Sequence, residues 1–193
     1  MVALNKTINW KPESTGVGRF GHWLENLQDW NLSRSRYWGI PLPIWRNKNG
    51  DVAKCIGSIE ELQLEIEKAN NLLNLSQIIP QDLHRPYIDQ IILVSEDGKE
   101  PLSRELDLID VWFDSGAMPY AQLHYPFENA NIFDQGFPAE FIAEGLDQTR
   151  GWFYTLSVLG SILFDRIPFK HVVVTGMILA EDGKKMSKRL QNY

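Results

Sequence analysis

The sequence predicts an α/β fold with a small α+β insertion, on three observations. "AEFIAE" (139–144) and "HVVVTGMIL" (171–179) are short apolar runs, the second strongly β-branched, as suits a parallel strand covered on both faces. "DQTRGWFYTLSVLGSILF" between them is apolar almost all round, which suits a helix buried against a sheet. Residues 40–105 read differently, as two hairpins flanking one amphipathic helix. Strand, buried helix, strand makes a right-handed βαβ unit, and ligands of such units sit beyond the carboxyl ends of the strands.

Each element has its own signal. Val17, Phe20, Trp23, Leu24, Leu27 and Trp30 recur at three- and four-residue steps, predicting one helix from Thr15 to Trp30. "LSRSRYWGIPLPIW" then turns through Gly39 and two prolines, with Trp38 and Gly39 as a packing turn. In "PLPIWRNKNGDVAKCIG" the dipeptide Asn49-Gly50 tolerates the positive φ of a tight hairpin turn. Ser58 and Glu61 form a capping-box pattern ahead of "IEELQLEIEKANNLL". "QIILVSEDGKEPLS" is a second hairpin, turning at Asp97-Gly98.

Composition narrows the function classes. The apolar share of 44% and charged share of 23% are those of a globular protein, with no apolar run near the roughly 18 residues of a membrane helix. A cytoplasmic location is the expectation. The single cysteine, Cys55, excludes an internal disulfide and a multi-cysteine zinc site, and the four histidines are scattered, so no structural metal is expected. A net charge of −6 excludes a surface that is basic throughout, which makes the closing cluster of Lys184, Lys185, Lys188 and Arg189 a local feature.

The strand ends hold the groups able to do chemistry. After the first strand come Glu144, Gly145, Asp147 and Gln148. Free N–H groups and the dipole of the following helix favour a negative group there, while the carboxylates can hold an ammonium or ribose hydroxyls. The plainer alternative is that Asp147 only caps the helix. Beyond the second strand, Gly176 permits close backbone approach and the lysine-rich loop suits a polyphosphate, or is merely a solvated charge run.

"KMSKR" resembles the second signature of class I aminoacyl-tRNA synthetases, usually Lys-Met-Ser-Lys-Ser. "LSRSRYWGIPLPIW", "DVWFDSG", "AEGLDQTRGWFY" and "VVVTGMILAEDGKKMSKRLQNY" resemble, in order, the blocks of the isoleucyl-tRNA synthetase family, spanning most of residues 15–193. "DVWFDSG" alone would also fit the valyl relatives. Arg189 departs from the usual final serine, a departure familiar in the eukaryotic-like branch, toward which "MPYAQLHYPFEN" also leans.

The resemblance implies the C-terminal half of a Rossmann-like nucleotide-binding fold. Residues 1–39 would follow the editing insertion, 40–105 would be a connective α+β insertion, and 106–193 would end in the signature loop. It implies ATP-dependent activation of isoleucine and transfer to tRNA(Ile). Lys185 and Lys188 match the signature lysines, Lys188 contacting ATP phosphates. Ser187 and the backbone of Gly176, Met177 and Ile178 would lie beside the nucleotide. Glu144, Gly145, Asp147 and Gln148 would hold the aminoacyl-adenylate, with Trp112 and Trp152 walling the side-chain pocket. From the residues alone, Trp152 reads as core and Asp114-Ser115-Gly116 as helix entry.

Magnesium would enter with ATP, and no tightly bound cofactor or zinc is implied. The first signature, resembling His-Ile-Gly-His, is absent, and "FGHW" is not it. The remaining partner is therefore the rest of the same polypeptide, and this chain alone is expected to be inactive. Aromatic walls exclude larger side chains but reject a smaller one weakly, a missing methylene being worth about 1–3 kcal/mol, a value established on isoleucine against valine itself. Nothing in the sequence resembles the hydrolytic editing domain. Two other readings are a valyl- or leucyl-type synthetase and a non-catalytic module binding RNA or protein. Arg34 and Arg36 could contact the tRNA acceptor end, or brace the insertion by ion pairs, the reading favoured here.

Overall fold

A computed structural model describes residues 1–193 except Ile178, Lys185 and Tyr193. In chain order, α1 (Val2–Asn5) and β1 (Asn9–Lys11) precede a π-helical turn (Thr15–Phe20) and α2 (Gly21–Glu25). Strands β2 (Ser33–Arg34), β3 (Ile44–Arg46) and β4 (Ala53–Cys55) lead to α3 (Ile59–Leu73). Next come β5 (Ile92–Val94), β6 (Pro101–Arg104), β7 (Leu108–Ile109), α4 (Val111–Ala121) and α5 (Ala130–Gly136). The chain continues through β8 (Ala139–Gly145), a 3-10 turn (Leu146–Arg150), α6 (Trp152–Phe164) and β9 (Phe169–Thr175). Two compact units result, Met1–Trp30 with Trp112–Tyr193, and Asn31–Val111.

The first unit contains the predicted strand–helix–strand. β8 and β9 pair in parallel from Ala139 opposite Phe169 to Gly145 opposite Thr175, and β1 adds in parallel on the other side of β9. Ile8, Trp10, Phe20, Leu24, Phe153, Leu156, Phe169 and Val172 form the core under this sheet. Coverage on both faces is corrected. Phe169 and Val172 point into the core, but Phe141 of β8 is 60% exposed and Val173 of β9 is 39% exposed, so the described residues leave part of this strand pair uncovered.

The long first helix is also corrected. A π-helical turn winds more residues per turn than an α-helix, so the 3.6-residue pattern slips and Val17 faces solvent while Phe20 and Leu24 stay buried. Asn26 then ends the helix, its side-chain amide donating to the His22 carbonyl at 2.8 Å. Trp10 fills the space beside Gly16. A Cβ on Gly16 would lie 2.2 Å from the Trp10 ring, and Trp10 Nε1 donates to Asn5 Oδ1, whose amide donates to the Gly16 carbonyl. Gly16→Ala is expected to lose about 1–3 kcal/mol of stability by overpacking, read from the urea midpoint. An unchanged midpoint would show that this corner repacks freely.

The second unit follows the sequence closely. Both hairpins form, with Gly50 at φ +78° and Gly98 at φ +75°, and a sheet ordered β4-β3-β6-β5 results. Ser58 Oγ accepts from the Glu61 amide at 3.0 Å and Glu61 returns to the Gly57 amide, so the capping box is present, shifted by one residue on the carboxylate side. Trp45, Leu62, Ile66, Leu93 and Leu102 lie between α3 and the sheet. Trp38 is corrected. Its ring stacks on His84 at the surface, 4.8 Å between centroids, while Gly39 is the residue that meets Leu108.

Candidate active site

Register decides where the site lies. Since Gly145 pairs with Thr175, the two strands end level, and the segments beyond them meet at one edge. An open cavity of about 520 Å³ lies there, lined by Glu144, Gly145, Asp147 and Gln148 after β8 and by Thr175, Gly176 and Met177 after β9. Ala143 and Met186, the methionine of the lysine loop, complete it.

The turn after β8 is held rigidly. Arg19 Nε donates to Thr149 Oγ1 at 2.9 Å, and that buried hydroxyl donates to the Leu146 carbonyl at 2.8 Å. Arg150 lies over the Trp23 ring at 4.8 Å. Thus the Leu146–Arg150 turn is pinned from the helical segment that precedes it in sequence by more than a hundred residues. Glu144 and Asp147 are exposed at the mouth and give it negative character.

The cap at the start of α6 is Gln148, not Asp147. Gln148 Oε1 accepts from the Trp152 amide at 2.9 Å, while Gln148 Nε2 donates to Asp147 Oδ2 at 3.4 Å. A Cβ on Gly145 would lie 2.7 Å from Asp147 Oδ1, so the glycine lets that carboxylate fold back over the strand end. With the cap supplied by its neighbour, Asp147 remains at the cavity.

The two tryptophans converge on the same turn. Trp152 Nε1 donates to the Ser115 carbonyl at 2.9 Å, tying α6 to α4, and its ring is half-buried against the core. Trp112, 41% exposed, places its ring edge beside Gly151. Asp114, Ser115 and Gly116 lie inside α4, which begins at Val111, so the reading as helix entry is corrected. Ser115 supplies a carbonyl and Gly116 a close contact, a Cβ there falling 3.0 Å from the Thr155 backbone. Sequence reasoning missed Gly151, Ser115 and Met186. The glycine directly before Trp152, a tryptophan expected to wall the pocket, was the available signal.

Within the lysine loop, the Ser187 amide donates to Asn192 Oδ1 at 2.9 Å, and Lys188 and Arg189 are exposed. Ser187 and Lys188 stand next to Met186 without lining the cavity themselves. Lys184 is engaged by Asp182 at 3.0 Å, and hydrogen bonds from its side chain and backbone hold the Asp182 carboxyl below the usual carboxylate range. Lys185 and Ile178 lie outside the described residues. In the other unit, Arg34 Nη2 meets the buried Asp110 carboxylate at 2.6 Å, which supports the bracing role read for it, and the Arg36 carbonyl accepts from Arg85.

Residues 1–193 match the family described as tRNA synthetases class I (I, L, M and V). The chain belongs to the class I tRNA synthetases. Among this family it is 65% identical over 192 residues to the isoleucine–tRNA ligase of Cytophaga hutchinsonii, covering 100% of the chain and 17% of that protein. It is 51% identical over 193 residues to the cytoplasmic isoleucine–tRNA ligase of Schizosaccharomyces pombe, again covering 17% of it. The LeuRS–tRNA–LeuAMS ternary complex of Agrobacterium radiobacter K84 superposes with a TM-score of 0.53 at 23% identity, covering 90% of this chain and 24% of that one. That likeness shows a shared class I synthetase fold. The α/β architecture expected from the sequence is therefore that of a class I synthetase, and the chain spans about 17% of the length of the isoleucine–tRNA ligases it matches. Among the described residues, no helix is long and apolar enough to cross a membrane.

Proposed function

We propose that this chain supplies the strand-end half of the isoleucine-activating site of an isoleucine–tRNA ligase. The observation that carries this reading is the single cavity edge on which Glu144, Gly145, Asp147, Gln148, Gly176 and Met177 meet beside Met186 of the signature loop. In the reaction, the isoleucine carboxylate attacks the α-phosphorus of ATP. A carboxyl oxygen–phosphorus bond forms, the α–β phosphoanhydride breaks, and pyrophosphate leaves with the electron pair. The terminal ribose hydroxyl of tRNA(Ile) then attacks the acyl carbon and AMP departs.

The chain's residues position reactants and balance charge. Glu144 and Asp147 bind the ammonium and ribose hydroxyls, and Gln148 holds both Asp147 and the start of α6 in place. Trp112 and Trp152 wall the side-chain pocket. The backbone of Gly176 and Met177 lies along the nucleotide with Ser187, a role the family resemblance extends to Ile178, while Lys185 and Lys188 follow the charge that moves onto pyrophosphate. Magnesium comes with ATP as part of that substrate.

Residues 1–39 and 106–193 then belong to the catalytic fold, and 40–105 to a connective insertion. The sequence carries nothing resembling the first signature, so this chain on its own is inactive and needs the rest of the polypeptide, in a cytoplasmic enzyme of translation. The test is amino-acid-dependent ATP–pyrophosphate exchange by the full-length polypeptide. Exchange driven by isoleucine well above valine and leucine is expected, whereas faster exchange with valine or leucine would move the chain to that relative.

A further inference from the structure

Gly151 stands where the Gln148 amide, the Trp112 ring and the start of α6 meet. A Cβ built on it would lie 2.7 Å from Gln148 Oε1 and 3.2 Å from Trp112 Cη2. Real Cβ atoms do not approach an oxygen at 2.7 Å, and 3.2 Å to a ring carbon requires the ring to give by some tenths of an ångström. Gln148 Oε1 is also the acceptor for the Trp152 amide. The other wall cannot yield easily. Trp152 is tied to the Ser115 carbonyl, and Gly116 brings α4 so near α6 that a Cβ there would meet the Thr155 carbonyl carbon and oxygen at 3.0 Å.

We propose that Gly151 is a specificity-determining positioning residue: having no side chain, it lets the Trp112 ring and the Gln148 amide close together on the start of α6, and so sets the width of the amino-acid pocket. This rests on the reading of Trp112 as a wall of that pocket. A methyl group at 151 displaces both groups at once, the amide by rotation and the ring by translation. The amino acid is affected through Trp112, and through Gln148 at the Asp147 carboxylate that faces its ammonium group. ATP binding at the lysine loop does not pass through Gly151.

The test uses pyrophosphate exchange by the full-length polypeptide with Trp112→Ala, Trp112→Phe, Gly151→Ala, the Trp112→Phe/Gly151→Ala double variant, and Gly136→Ala. Gly136 faces open space and serves as the control for a helix-end alanine. Gly151→Ala is expected to raise the KM for isoleucine about tenfold, since sub-ångström misplacement of a wall is costly, with the KM for ATP within about twofold. Phenylalanine lacks the Cη2 atom that the methyl meets, so the double variant is expected to lie closer to Trp112→Phe alone than additivity allows. If Gly151→Ala fails to fold, the double variant recovers folding under the proposal, and an equally unfolded double variant overturns it. Trp112→Ala without effect on the KM for isoleucine sinks the pocket reading itself. A clear effect of Trp112→Ala with none from Gly151→Ala, or equal rises in both KM values, overturns the role of Gly151 alone.

Discussion

Lys188→Ala in the full-length polypeptide is expected to lower the turnover of isoleucine-dependent pyrophosphate exchange about 10²–10³-fold, the usual cost of removing one donor to developing charge. The KM for isoleucine should change by no more than about twofold, because the ammonium acts on the departing pyrophosphate, where charge grows only as the α–β bond breaks. Lys184 provides the internal comparison. It already pairs with Asp182 at 3.0 Å, so Lys184→Ala should cost far less than Lys188→Ala despite lying in the same loop. Equal effects of the two substitutions would mean that the loop contributes only diffuse positive charge. An unaffected Lys188→Ala enzyme would remove the phosphate role from this loop altogether.

The largest structural effect is expected at Arg104. Its side chain is fully buried in the second unit and donates from Nε to Asp89 Oδ1 at 2.7 Å, from Nη2 to the same oxygen, and from Nη1 to the carbonyls of Leu42, Glu105 and Asp107. Arg85 Nε holds the other oxygen of Asp89 at 2.8 Å. Arg104→Ala leaves a largely buried carboxylate half-paired and several carbonyls without donors, so a loss of about 3–5 kcal/mol is expected in the unfolding of residues 31–111. Hydrogen exchange resolved by residue would show protection collapsing in β3, β5 and β6, with the first unit unaffected.

Acid should act on the same network. Burial alone pushes the Asp89 carboxyl up, but hydrogen bonds from Arg85 and Arg104, with their charges, outweigh it and hold the group below its ordinary value. A carboxyl depressed on folding contributes stability above its unfolded value of about 3.9, and that contribution disappears as pH falls through the lower folded value. Stability of the second unit is therefore expected to be flat from neutral pH to about 5 and to fall below about 4. In Arg104→Ala that acid-dependent loss should be smaller. A dependence of the same size in the variant would assign the acid sensitivity to other carboxylates.

Local elements were legible in the sequence wherever a short-range rule set them. Asn49-Gly50 and Asp97-Gly98 fixed two hairpins because a positive φ is hard to place elsewhere, and Ser58 fixed the start of α3 through one side-chain hydrogen bond. The β8–α6–β9 order was legible from composition alone, and with it the strand-end position of Glu144, Gly145, Asp147 and Gln148.

The features that escaped were set by packing between distant segments. A π-helical turn is invisible to a 3.6-residue template, so one long helix was expected where Asn26 closes a shorter one. The run of Val172, Val173 and Val174 could not say which of its faces would be covered by the described helices. Likewise α5 is a single short segment held by ring contacts of Phe133 with Tyr125, Phe137 and Phe164, which no local pattern announces. That Gln148 caps α6 and frees Asp147 for the cavity depends on one side-chain rotamer, a choice that sequence spacing leaves open.

The most direct test of the strand-end site is calorimetric titration of a non-hydrolysable isoleucyl-adenylate analogue into the full-length polypeptide, into its Asp147→Ala and Trp152→Ala variants, and against the valyl analogue. Tight binding that favours isoleucyl over valyl and weakens at least tenfold in each variant is the expected result, as loss of a charged partner or of a ring wall requires. Binding left unchanged by both substitutions would place the adenylate elsewhere and contradict the account.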